Sequence, residues 1–133
     1  MSAVIDTNVF SFYFKDDSRW ELYVPHLEGR FLFLSFMSLA ELELWSLSGR
    51  WGTRRKSRLA KSLRRYAVQY SSPEMCRLWA ETMDNGRRIG RPVGIADAWV
   101  AATAMFLDLP LITHNASDFR GIPNLVLITE NTP

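Results

Sequence analysis

Ala3-Val4-Ile5-Asp6-Thr7-Asn8-Val9-Phe10 reads as a buried strand that runs across a carboxylate into a helix. Three consecutive apolar residues without alternation describe a strand covered on both faces, the usual condition of a parallel sheet. Asp6 stands where the strand ends. The helix predicted from Val9 to Phe14 is halted by Lys15-Asp16-Asp17-Ser18.

The same pattern repeats along the chain. Ser18 is placed to cap a second helix from Arg19 to about Glu28, closed by Gly29. Phe31-Leu32-Phe33-Leu34 is another unbroken strand-length run. Ser38-Leu39-Ala40-Glu41 fits a capping box and predicts a helix to about Leu47. After Gly49 and Gly52, Thr53 is expected to cap a helix to about Gln69, with a short strand over Tyr66 to Tyr70 as the alternative ending. Pro73-Glu74 begins a helix to roughly Asn85, and a loop from Gly86 to Gly94 follows. An Ala-rich helix is expected over Ile95 to Leu107. Leu111-Ile112-Thr113 and Leu125-Val126-Leu127-Ile128 complete the strands. Strands separated by helices argue for an α/β sandwich with a parallel sheet.

Ligands of such sheets bind beyond the carboxyl ends of the strands. Asp6 and Asp118 follow strands directly, Glu41 follows one after a short turn, and Asp97 lies in the first turn of its helix. Each has a structural explanation taken alone: Asp6 as a helix cap, Glu41 as a capping-box member, Asp97 as a dipole partner, Asp118 in an Asx turn. None of these roles requires the four to share one edge of a sheet. Clustered carboxylates repel, and a divalent cation removes that cost. An all-oxygen donor set selects Mg²⁺ or Mn²⁺ over zinc or copper.

Composition narrows the setting. The 133 residues fit a single domain over 1–133, and 47% apolar content with net charge +2 describes a globular chain, not a disordered one. Cys76 is the one cysteine, so neither an internal disulfide nor a thiolate zinc site is available. Met1 to Asp6 has no basic n-region and reaches an acid before any apolar core could form, unlike a signal peptide; no run approaches a membrane span. A reducing, cytoplasmic location is expected. Between Arg50 and Arg65 stand eight of the 16 lysines and arginines with no acid among them, a footprint for a polyanion or else a solvated helix face.

Val4-Ile5-Asp6-Thr7-Asn8, Ser38-Leu39-Ala40-Glu41-Leu42, Ala96-Asp97-Ala98-Trp99-Val100-Ala101-Ala102-Thr103-Ala104 and Leu111-Ile112-Thr113-His114-Asn115-Ala116-Ser117-Asp118-Phe119 together resemble the PIN domain, and within it the VapC-type toxins of toxin–antitoxin pairs. Order and spacing make the combination specific across nearly the whole chain. The resemblance implies a three-layer α/β/α sandwich with a central, mainly parallel sheet. It also implies a Mg²⁺- or Mn²⁺-dependent endoribonuclease with catalytic, metal-holding acids at Asp6, Glu41, Asp97 and Asp118. Asn8, Thr113 and Asn115 match supporting positions, whose role would be to orient carboxylates or water. Asp6 and Asp97 are expected to anchor the principal metal, and Glu41 and Asp118 to complete the site.

On this reading Arg54, Arg55 and Arg58 would hold the RNA backbone. Trp20, Phe31, Trp45 and Trp51 would suit a groove for a partner helix. VapC-like toxins are inhibited by a cognate antitoxin and commonly form homodimers, so both partners are implied. Two rival readings remain: a PIN-fold module that binds RNA or protein without cutting, and a receiver-type signalling domain with an acidic Mg²⁺ pocket. The receiver should carry paired acids after its first strand and a lysine after its last, yet no lysine follows Lys61.

Overall fold

The computed structural model describes residues 1–131. Five strands form one parallel sheet: β1 (Ser2–Ile5), β2 (Phe31–Ser35), β3 (Ala67–Gln69), β4 (Leu111–Ile112) and β5 (Leu127–Ile128), in the order β3-β2-β1-β4-β5. Around it stand α1 (Thr7–Phe14), α2 (Trp20–Leu27), α3 (Phe36–Ser48), α4 (Thr53–Leu63), α5 (Pro73–Arg88) and α6 (Ile95–Leu107).

The central strand shows why its run does not alternate. Ala3 and Ile5 pack with Val9 and Phe12 of α1 and Tyr23 and Leu27 of α2 on one face. Val4 packs on the other with Val100, Ala101 and Ala104 of α6. All three strand residues are fully buried, so both faces demand apolar side chains. Small residues let α6 lie close to the sheet, and α5 backs onto α6 to complete the three layers. A satellite cluster of Phe10, Phe14, Leu42 and Leu59 joins α1, α3 and α4, with Trp45 and Trp51 against it.

Several boundaries differ from the sequence expectation, each for a local reason. Ser18 does not cap α2; the neighbouring Asp17 Oδ1 accepts the Arg19 N–H at 2.9 Å instead. Ser35, not Ser38, caps α3, its hydroxyl accepting the Met37 N–H at 3.1 Å. The helix therefore begins a turn early, and Ser38 becomes an interior residue facing α1. Gly52, not Thr53, is the cap residue of α4, which stops at Leu63. The alternative short strand is the one formed, because Ala67 to Gln69 pairs with the open edge of β2. Helix α5 runs through Gly86, where the loop folds back so closely that a Cβ would lie 2.8 Å from the Arg91 carbonyl oxygen.

The Ser35 hydroxyl also bonds Thr103 Oγ1 at 2.8 Å, and as the Thr103 proton goes to the Trp99 carbonyl at 2.8 Å, Ser35 is the donor that ties β2 to α6. Ser35→Ala removes both hydrogen bonds, and urea denaturation should register a destabilisation of about 1–2 kcal/mol. A change under about 0.3 kcal/mol would show that neither bond matters.

Candidate active site

Because the strands are parallel, β1, β2 and β4 all deliver their following residues to one edge. Asp6 follows β1 and caps α1 in extended conformation (φ −74, ψ 156). Its Oδ1 accepts the Thr7 N–H at 2.7 Å and its Oδ2 accepts the Thr113 hydroxyl at 2.7 Å. Thr113 is there because Ile5 and Ile112 are register partners, so the next residues of the two strands are neighbours. The Asn115 N–H donates to Thr113 Oγ1 at 3.1 Å, which orients that hydroxyl towards Asp6.

Glu41 lies in the second turn of α3. Its Oε1 is 3.0 Å from Thr7 Oγ1, and Thr7 Oγ1 is 2.8 Å from Ser38 Oγ. Each hydroxyl has one proton, so the two can serve as a relay that ends on the Glu41 carboxylate. Asp97 stands in the first turn of α6, where the helix dipole favours a negative charge. Asp118 ends the short 3₁₀ turn Ala116–Asp118 beyond β4.

Electrostatics link the four. Burial raises the Asp6 carboxyl from 3.8 to about 6, against the hydrogen bonds from Thr113 and Thr7, with repulsion from Asp97 and Glu41 added. Asp97 is also raised to about 6, by burial first and then by Asp118 and Glu41. Among the described residues, no lysine or arginine forms an ion pair with any of these acids. Nor do three acids, histidines or cysteines there close a metal cage by themselves. The donor set nevertheless suits Mg²⁺ or Mn²⁺: Mg²⁺ usually retains several waters and leans on one or two carboxylates, and this one is all oxygen and unneutralised.

The supporting residues divide. Thr113 bonds a carboxylate directly. Asn8 does not; its Oδ1 accepts the His114 N–H at 3.2 Å and ties the loop after β4 to α1. Asn115 acts through its backbone. Sequence reading overlooked Thr7 and Ser38 as neighbours of Glu41, because Ser38 fitted a cap so well. The available signal was the Ser38–Glu41 spacing of three, which shares a helix face.

Away from the acids, Arg54, Arg55 and Arg58 line an open cavity of about 570 Å³ with Phe14, Lys15, Asp16 and Gly52. The Arg55 guanidinium stacks over Trp51 at 4.0 Å and Arg58 over Phe14 at 4.5 Å. The aromatic group expected as one groove is split. Trp45 and Trp51 share the α1–α3–α4 cluster, Trp20 packs on Tyr13 at 5.1 Å, and Phe31 lies at the opposite end of the sheet, paired with Ser2.

Comparison with known proteins agrees with this architecture. Ribonuclease VapC1 of Haemophilus influenzae strain R2866 is 28% identical over 131 residues, covering 94% of this chain and 95% of that protein. The solved VapBC-1 structure from nontypeable Haemophilus influenzae superposes with a TM-score of 0.83 at 26% identity, over 97% of this chain and 98% of that one. VapBC2 from Rickettsia felis, bound to a DNA fragment from its promoter, shares the fold with a TM-score of 0.85 at 23% identity, over 97% and 98%. Residues 3–125 match the PIN domain, and over that length one assignment holds: the chain is a member of the PIN-domain family.

Proposed function

We propose that this protein is a divalent-metal-dependent endoribonuclease, a single nuclease domain acting as the toxin of a toxin–antitoxin pair. The observation that carries the reading is the edge of four acids with no basic partner among the described residues, at the carboxyl ends of parallel strands. Support comes from the similarity to proteins named Ribonuclease VapC1 and to VapBC complexes. The receiver reading is set aside by topology, since that fold orders its strands 2-1-3-4-5 and this chain orders them β3-β2-β1-β4-β5.

Asp6 and Asp97 would hold Mg²⁺ or Mn²⁺, with Glu41 and Asp118 completing the site. Bound there, the ion supplies an activated water at neutral pH and neutralises charge on the leaving oxygen. Thr113 and the Thr7 N–H fix the Asp6 carboxylate, and the Thr7 hydroxyl fixes Glu41. Attack of water on phosphorus with the 3′-oxygen leaving gives a 5′-phosphate and a 3′-hydroxyl. The deciding experiment is RNA cleavage by wild type in Mg²⁺, Mn²⁺ or EDTA; cleavage that persists in EDTA refutes the metal.

The basic face of α4 supplies the grip on the RNA backbone that the acids cannot. Replacing Arg54, Arg55 and Arg58 together with Gln should weaken RNA binding and lower the log–log salt slope by about 2, at roughly 0.7 for each phosphate no longer neutralised. An unchanged slope would return α4 to a solvated face. A cognate antitoxin and a second copy of the chain are the proposed protein partners, and the cytoplasm the proposed location. Among the described residues no helix is long and apolar enough to cross a membrane.

A further inference from the structure

Behind the acid edge lies a hydrogen-bonded pair that the proposed chemistry does not use. Tyr23 of α2 is completely buried, and its hydroxyl lies 2.6 Å from His114 Nδ1. The same oxygen accepts the Glu130 N–H at 3.2 Å. The phenol has a single proton, and Nδ1 is the one acceptor within its reach among the described residues. The tautomer that gives this proton a partner is the one in which Nδ1 accepts and Nε2 carries the ring proton.

The rest of His114 is equally tied. Its N–H donates to Asn8 Oδ1 at 3.2 Å, and its carbonyl accepts from Asn131 Nδ2 at 2.9 Å. The ring meets Phe12 edge-on at 5.0 Å and 82°, which orients it towards α1 and α2. Only Nε2 has no partner within the described residues among the polar atoms of His114.

His114 sits at the centre of the loop that builds half of the site. The residue before it, Thr113, holds Asp6; the turn after it ends at Asp118. We propose that Tyr23 and His114 are positioning residues, a part-buried latch that sets this loop so that the Thr113 hydroxyl stays on Asp6 and Asp118 stays beside Asp97. The latch rests on the ribonuclease reading of those acids. Burial and the Arg19 charge disfavour the imidazolium, which agrees with an Nδ1 that must accept.

The test uses steady-state RNA cleavage by the full chain with thermal unfolding alongside. Tyr23→Phe keeps the ring and removes the latch proton. It should lower kcat about 10-fold with KM unchanged, the lower end of the effect of losing the partner behind a metal ligand, because Tyr23 acts on that partner, Thr113, through His114. The thermal midpoint should fall by no more than about 5 °C. His114→Asn offers an amide oxygen close to the Nδ1 position and should retain most of kcat, whereas His114→Leu should fall as far as Tyr23→Phe. A wild-type kcat in Tyr23→Phe overturns the latch. If Tyr23→Phe unfolds, the histidine pair decides: equal rates for His114→Asn and His114→Leu also overturn it. Should wild type itself cut no RNA, the ribonuclease reading fails separately. The imidazole nitrogen resonances then judge the pair, and a proton on Nδ1 at neutral pH overturns it.

Discussion

Asp97→Asn should cut RNA at least about 10³-fold more slowly than wild type while folding as well or better. Asparagine keeps the shape of the side chain and removes the charge that would attract a cation. Metal-assisted stabilisation of the transition state is worth several kcal/mol, and about 4 kcal/mol corresponds to 10³-fold in rate. Stability should move the other way. Ionised Asp97 is opposed by burial and by Asp118 and Glu41, so a neutral amide relieves repulsion in the metal-free protein. Asp6→Asn should lose activity to the same extent with a different structural cost. Its amide nitrogen must face either the Thr7 N–H or the Thr113 hydroxyl, where the carboxylate now accepts from both. The measurement is cleavage of a labelled RNA beside urea denaturation of each variant at pH 7. An Asp97→Asn protein that cuts at the wild-type rate would remove Asp97 from the site.

The metal-free protein should be more stable near pH 4 than near pH 7, and Mg²⁺ should restore the difference. The Asp6 carboxyl ionises at about 6 in the folded state against 3.8 in the reference state, so the folded form binds its proton more tightly. The associated stability is complete below about pH 4 and disappears as pH rises through 6. At 1.36 kcal/mol per pH unit the contribution of this buried group is about 3 kcal/mol. Asp97 acts in the same direction and less strongly, because it is partly exposed and screened. Two other groups act differently. Asp17, held at about 2 by Arg19, loses its stabilisation only as pH falls below the same window. His114, whose imidazolium is disfavoured, gains stability as pH rises towards 6.5 and opposes the carboxylates in part. Urea midpoints at pH 4, 5.5 and 7, with and without Mg²⁺, check the sum. A stability that climbs steadily over this range, or is indifferent to Mg²⁺ at pH 7, would contradict the strained-acid picture.

Much of this was legible in the residues because two segments are apolar almost without interruption. Ala3-Val4-Ile5 and the Ala-rich stretch from Ile95 are apolar on nearly every side, so composition alone distinguishes them. The acids were legible because a parallel sheet sends every strand end to one edge, whatever the lengths between. Capping choices were less visible. Ser35 and Ser38 are both good caps, and the one that caps α3 also bonds Thr103, a residue 68 positions away. The strand Ala67–Gln69 was ambiguous since its only reason to extend is the exposed edge of β2. Tyr23 could not be found at all. Its phenol matters through His114, and nothing local to Trp20-Glu21-Leu22-Tyr23 signals a partner 91 residues on.

The central place of β1 also has a meaning in time. Asp6 is made before the hydroxyl that holds it, which belongs to Thr113, 107 positions later. Strand β1 needs β2 on one side and β4 on the other. A chain that ends before Leu111 therefore carries Asp6, Glu41 and Asp97 without the strand that supplies Thr113 and leads to Asp118. On the proposed function, the site is complete only once β4 has joined β1 and the turn beyond it has brought in Asp118.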